Sequence, residues 1–261
     1  MKTLAAIVGT AVALSAAPQA NAQLTTPKVA DARPGDVRVI ATAALRGPLD
    51  AVLKQAEAAI GKPVVVEYGS ARGNLKDTIL KGQDFEVAIL LPDVNDDIQA
   101  AGKIAAGRFE IARVPVAFGL RGEVPNLDVS SPAAVKAAML SAKSIRYSPT
   151  GAALMTVKKI LSTLEIADKI HDSSTVRAEI PLAPGEYEIN IYPLSEIIPN
   201  KTLKNLGAVI PQLQVPAIIE AALGKNAADP KAARALIDFL QGQAIDQALK
   251  DYGMEKGHVG K

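Results

Sequence analysis

The sequence predicts an α/β fold, and three observations carry that expectation. Apolar runs of strand length recur near the start, at residues 37–41, 64–66 and 85–91. Between them lie segments whose apolar residues repeat at helical spacing. The first two runs also break into small residues just before the helical pattern resumes, at Ala41-Thr42-Ala43-Ala44 and Gly69-Ser70-Ala71. A βαβαβ order of this kind implies a parallel sheet with right-handed crossovers. Turns between a strand's carboxyl end and a helix present backbone N–H groups, and that end of a helix favours anions.

The elements follow in order. The first strand begins at about Val37, and the helix after it turns Leu49, Val52, Leu53, Ala56 and Ile60 to one face, with Pro48 in its first turn. Gly61-Lys62-Pro63 stops it before the second strand. The next helix carries Leu75, Ile79 and Leu80 and ends at Gly82. A third strand spans residues 85–91, and residues 113–120 read as another. Ser131-Pro132 is an N-cap and first-turn pair for a helix to about Ala142. A short strand at 145–148 leads through Pro149-Thr150-Gly151 into a helix with Leu154, Val157, Ile160, Leu161 and Leu164 inward. Residues 188–192 form a strand, and 210–219 a long strand or crossing segment despite Pro211 and Pro216. Asp229-Pro230 caps a final helix, with Ala233, Leu236, Ile237 and Leu240 inward, that ends near Gly253 before a short polar tail.

Composition excludes several functions. The chain has 261 residues, enough for one large domain or two small lobes, and 49% of them are hydrophobic. Aromatics are 3%, with no Trp, which argues against stacking platforms for sugars or single-stranded nucleic acid. A net charge of +2 without a basic block gives nucleic acid no footing. Lys2, the apolar stretch 4–14 and Ala20-Asn21-Ala22 form a secretory leader, with cleavage expected after Ala22. That stretch is short for a bilayer, so stable membrane insertion is not expected, and the periplasm is the expected compartment. Residues 23–35 read as a disordered lead-in. The absence of Cys excludes disulfides, thiol catalysis and a lipid-modified cysteine. His171 sits in a polar loop and His258 in the tail, and no His/Asp/Glu set has metal-ligand spacing, so no metal and no cofactor are expected.

Five segments in this order resemble the periplasmic solute-binding proteins of the molybdate-binding type. They are Val39-Ile40-Ala41-Thr42-Ala43-Ala44-Leu45, Tyr68-Gly69-Ser70-Ala71-Arg72-Gly73-Asn74-Leu75, Phe85-Glu86-Val87-Ala88-Ile89-Leu90, Ser144-Ile145-Arg146-Tyr147-Ser148-Pro149 and Gly185-Glu186-Tyr187-Glu188-Ile189-Asn190-Ile191-Tyr192. The resemblance implies a two-lobed type II periplasmic binding-protein fold, with mixed, mostly parallel sheets joined by crossing strands. One lobe would hold residues 36–115 and 215–255, the other 116–214, with the ligand between them. It also implies that Tyr192 lies on the strand that supplies a ligand tyrosine.

The departures from that family point to a different anion. Ala43 stands where the first turn has a serine, while Arg46, Arg72 and Arg146 add charge. Arginine forks match carboxylates, so a small polycarboxylate is the expected ligand. Its expected contacts are Ala43, Arg46, Ser70, Ala71, Arg72, Arg146, Ser148, Thr150, Gly151, Tyr192 and Ser195. Within the family the chain also resembles the exported aconitate isomerases, which implies a cofactor-free 1,3-proton shift between trans- and cis-aconitate. Glu67, Tyr147 and Tyr192 are the candidates to carry the proton. The rival reading is a non-catalytic receptor that hands an organic anion, or less readily molybdate, to an ABC permease.

Overall fold

The computed structural model describes residues 28–258 apart from Pro125 and Arg177. The expected leader, residues 1–22, and the first part of the lead-in lie outside the described residues. Eighteen elements are numbered in chain order: β1 (Val37–Thr42), α1 (Arg46–Ile60), β2 (Val64–Gly69), α2 (Lys76–Leu80), β3 (Val87–Leu90), α3 (Pro92–Ala100), β4 (Ile104–Val114), β5 (Val116–Arg121), α4 (Pro132–Ser141), β6 (Ser144–Tyr147), α5 (Leu154–Leu164), β7 (Glu188–Pro193), α6 (Leu194–Ile197), β8 (Lys204–Ala208), β9 (Ala217–Gly224), α7 (Pro230–Gln241), α8 (Asp246–Asp251) and β10 (Glu255–Lys256).

The strands form two sheets, one ordered β10-β4-β9-β3-β1-β2 and the other β6-β7-β5-β8. β1 lies parallel to both β2 and β3, as the helical crossovers require. β6 and β7 are also parallel. The pairings β3–β9, β9–β4, β4–β10, β5–β7 and β5–β8 are antiparallel. The sheets are therefore mixed but not mostly parallel. The reason is connectivity: chain that passes from one sheet to the other returns without a covering helix and enters antiparallel.

Each sheet has its own core. In the first, every residue of β3 is buried, together with Val39, Ile40 and Ala41 of β1 and Leu236, Ile237 and Leu240 of α7. Sheets covered on both faces need such unbroken apolar runs. In the second, strict alternation sets two faces. Ile145, Ile189, Ile191 and Phe118 pack with Val135 and Met139 of α4 and Val157 and Ile160 of α5. On the opposite face, register brings Arg146 beside Asn190 and Arg121 beside Glu188.

Proline decides where the chain changes sheets. Residues 113–120 are not one strand: β4 ends at Val114 and β5 starts at Val116 in the other sheet. Pro115, between them, has no N–H to continue a ladder, and its carbonyl accepts from Leu194 N. Likewise residues 210–219 are not a single strand. Ile210–Leu213 turn back on themselves, and β9 begins only after Pro216. The final helix is two helices: Gly242 N closes α7 onto Asp238 and Phe239, and α8 follows a short 3-10 turn. The lead-in is not disordered over its described part. Val29 is buried, and its N–H donates to Glu67 Oε2 at 3.1 Å. The two expected N-caps are in place, Ser131 accepting from Ala134 N and Asp229 from Ala232 N.

Candidate functional site

Four chain segments converge between the sheets. β1 ends at Thr42 and runs into a 3-10 turn, Ala43–Leu45. β2 ends at Gly69 and Ser70, and the following π turn, Ala71–Leu75, is broken at Gly73. From the second sheet come the turn after β6, residues 148–153, and the end of β7 with α6. Together they enclose a cavity of about 60 Å³ lined by Thr42, Ala43, Gly69, Ser148, Gly151, Tyr192 and Glu196, among others.

The two lobes touch across this cavity. Ser70 Oγ and Thr150 Oγ1 are 2.7 Å apart. Arg72 N donates to Thr150 O at 3.1 Å. Arg72 Nη1 donates to Gly151 O at 2.7 Å. Gly73 lies so close that a Cβ there would sit 2.9 Å from Thr150 Oγ1. On the crossing side, Ser195 Oγ donates to Ala44 O at 2.7 Å.

The expected ligand residues separate into distinct groups. Ala43, Ser148, Gly151 and Tyr192 line the cavity. Ser70 and Thr150 bond to each other at its rim. Arg72, expected as a carboxylate clamp, is committed to protein instead: Nε and Nη2 hold Asp93 at 2.6 and 3.1 Å, and Nη1 holds Gly151 O. Arg146 faces the other side of its sheet, with Nε on Glu188 Oε1 at 3.0 Å and its remaining nitrogens on Val176 O and Ala178 O. Ala71 is wholly buried in the first core, and Ser195 is buried on Ala44 O. Arg46 is exposed, stacks over the Tyr68 ring at 4.5 Å, and forms no ion pair among the described residues.

Two candidate proton carriers lie elsewhere. Glu67 holds the lead-in through Val29 N. Tyr147 shares the face of Ile145 and donates to Asp172 Oδ2 at 2.7 Å, away from the cavity. Tyr192 remains, and burial raises its pKa, with the charge of Glu196 adding to the rise. His171 and His258 are exposed, and among the described residues no His/Cys/Asp/Glu cluster could hold a metal ion.

Glu196 was not anticipated. It stands in α6 and lines the cavity beside Tyr192. Its side chain forms no hydrogen bond or ion pair among the described residues. Burial pushes its carboxyl up to about 7, against a lowering from the charge of Arg46. The available signal was Pro193, which ends the strand and leads straight into the turn that carries Glu196. Glu196 also lines a second cavity of about 310 Å³ on the polar face of the second sheet, shared with Tyr192, Arg121, Arg146, Glu188 and Asn190. There Glu188 is almost fully buried. Burial alone would raise its pKa, but Arg146, Ser144 and Arg121 bond to it and hold it at about 2.

A family model described as bacterial extracellular solute-binding protein matches residues 37–255, nearly the whole described chain. The chain belongs to that family. Within these solute-binding proteins it is similar to an aconitate isomerase from Pseudomonas sp, 20% identical over 239 residues that cover 88% of this chain and 91% of that one. It is also similar to the molybdate-binding protein ModA of Azotobacter vinelandii, 26% identical over 231 residues, 85% and 90% of the two chains. The solved periplasmic molybdate-binding protein of A. vinelandii superposes with a TM-score of 0.63 at 20% identity, over 86% of this chain and 100% of that one. The fold is the type II periplasmic binding-protein fold. No helix among the described residues is long and apolar enough to cross a membrane.

Proposed function

We propose that this protein, exported to the periplasm, binds a small polycarboxylate between its lobes and isomerises it, with trans- and cis-aconitate as the pair. The observation that carries this reading is Glu196. A cavity that only holds an anion gains from donors and loses from a carboxylate facing it. A carboxyl with a pKa near 7 is, by contrast, matched to taking up and returning a proton at neutral pH.

In this reading Arg46 and the turn amides at residues 42–44 and 152–153 hold the substrate carboxylates. Glu196 takes a proton from the methylene carbon, and the C–H electron pair spreads into the conjugated carboxylate. The proton then returns to the carbon two positions away, and the double bond moves. Arg46 stabilises the charge that develops on the carboxylate oxygens. These steps use only groups of the protein itself. The similarity to the aconitate isomerase from Pseudomonas sp supports the reading.

One observation favours a receptor for an ABC importer instead. The cavity between the lobes is small, about 60 Å³, and much of its wall is neutral hydroxyl and backbone, which suits a tetrahedral oxyanion such as molybdate. Incubating the protein with trans-aconitate in deuterated water separates the two. The isomerase gives cis-aconitate, whether or not solvent deuterium enters the new methylene carbon. Saturable binding of molybdate with no conversion or exchange of aconitate would replace that reading with the receptor.

A further inference from the structure

The structure places the half-buried Glu196 in the wall of two cavities at once, one between the lobes and one behind it. We propose that the rear cavity is the route by which the Glu196 carboxyl exchanges its proton with bulk water while the lobes stay closed over the substrate. This rests on the isomerase reading and adds the path of the proton to it.

Beside the front cavity the lobes are joined by the Ser70–Thr150 hydrogen bond and by Arg72 on the carbonyls of Thr150 and Gly151. The rear cavity is larger and more polar: about 310 Å³, with Arg146, Glu188, Asn190 and Thr202 in its wall. Ordered water needs two to four polar partners and room for its own volume, and this cavity offers both. Tyr192 and Glu196 are the side chains that the two cavities share. Glu196 has no protein partner among the described residues, and the rear cavity reaches its side chain.

The consequence is a proton that does not travel straight across. The substrate C–H bond breaks and an O–H bond forms on Glu196. That hydrogen exchanges with water in the rear cavity. The O–H bond then breaks as a C–H bond forms at the remote carbon. The hydrogen delivered is therefore a solvent hydrogen, although the lobes have not opened.

The test uses trans-aconitate deuterated at its methylene, in ordinary water, with deuterium read by mass spectrometry at the new methylene of the cis product. The native protein should lose most of the label. Thr202→Phe, in an exposed loop at the cavity wall, and Asn190→Leu, inside it, should fill the route. Product formed by either folded variant should then retain several-fold more label. Full retention by the native protein, or equal loss by native and variants, would overturn the rear route while leaving the isomerase intact. Absence of any product from the native protein would overturn the isomerase reading and this inference with it.

Discussion

At the scale of single residues, the site turns on which charges are already neutralised. Arg72 and Arg146 are attractive carboxylate ligands in a linear sequence, because nothing beside them in the chain opposes their charge. Their partners, Asp93 and Glu188, lie 21 and 42 residues away and become visible only in the fold. Glu196 is the reverse case: an ordinary acidic residue in sequence, made basic by burial and by the lack of a partner. Glu196→Gln should cut the isomerisation rate by about 10²–10⁴-fold, the usual worth of a general acid–base group, and leave substrate binding equal or tighter, since a negative charge is gone. Retained turnover in a stopped assay of cis-aconitate formation would exclude Glu196 as the base. Because the ionised carboxylate is the base, kcat/KM should rise as pH climbs through about 7. Arg46 favours that ionised form. Arg46→Ala should therefore move the rising limb of the pH–rate profile to higher pH, and an unmoved limb would show that the two residues do not interact. The same group bears on stability. Its folded pKa stands above the usual value of 4.5, so the native state keeps a proton that the unfolded chain releases, and stability falls as pH rises from 4.5 towards 7.

At the scale of elements, long periodic segments were legible and short or interrupted ones were not. The β1-α1-β2 and β2-α2-β3 units, the capped α4 and α7, and β7 follow directly from periodicity and capping residues. α3 was missed because it opens at Pro92, which in sequence reads simply as the end of β3. β8 and β10 are short, and they pair at the sheet edges, where the apolar alternation that marks a strand is not needed. Glu188 explains why β6, β7 and the long connection before β7 hold together. Its carboxylate gathers Arg121, Arg146 and Ser144, and the two arginines bind the carbonyls of Val176, Ala178 and Ile180. With a folded pKa of about 2 against 4.5, Glu188 contributes stability that is complete above pH 4.5 and is lost as pH falls through about 2. Glu188→Gln should weaken that acid-dependent loss. At pH 7 it should also cost about 3–5 kcal/mol, because two arginines keep their charge without the carboxylate. Urea unfolding at pH 7 and at pH 3 measures both effects, and a variant with native acid sensitivity would remove Glu188 from the account.

At the scale of the whole molecule, the lobes are linked twice by the chain, near Pro115 and near Pro216, and are fastened at the cavity rim by Ser70, Arg72 and Thr150. Asp93, on the same lobe as Arg72, orients the guanidinium but touches nothing on the other lobe in the bonds that form the latch. With its nitrogens held this way, Arg72 is expected to act on closure rather than on the ligand. Affinity in a closing cleft is the intrinsic affinity multiplied by the fraction of closed molecules, so anything that loosens the latch weakens all ligands by one factor. Thr150→Val removes a neutral hydrogen bond worth about 0.5–1.5 kcal/mol, a loss of affinity of at most about tenfold. Arg72→Ala removes a charged bond and should cost at least as much, and Asp93→Ala should follow it in direction though it lies outside the cavity. Calorimetry with a tricarboxylate and with a divalent oxyanion provides the comparison. Equal losses for both ligands fit a latch. A loss confined to the tricarboxylate would return Arg72 to the binding site as a direct contact. Scattering measurements supply the second readout: without ligand, the Arg72→Ala protein should be more expanded than the native one, since a broken latch lets the lobes part, whereas loss of a mere ligand contact leaves the free protein's dimensions unchanged.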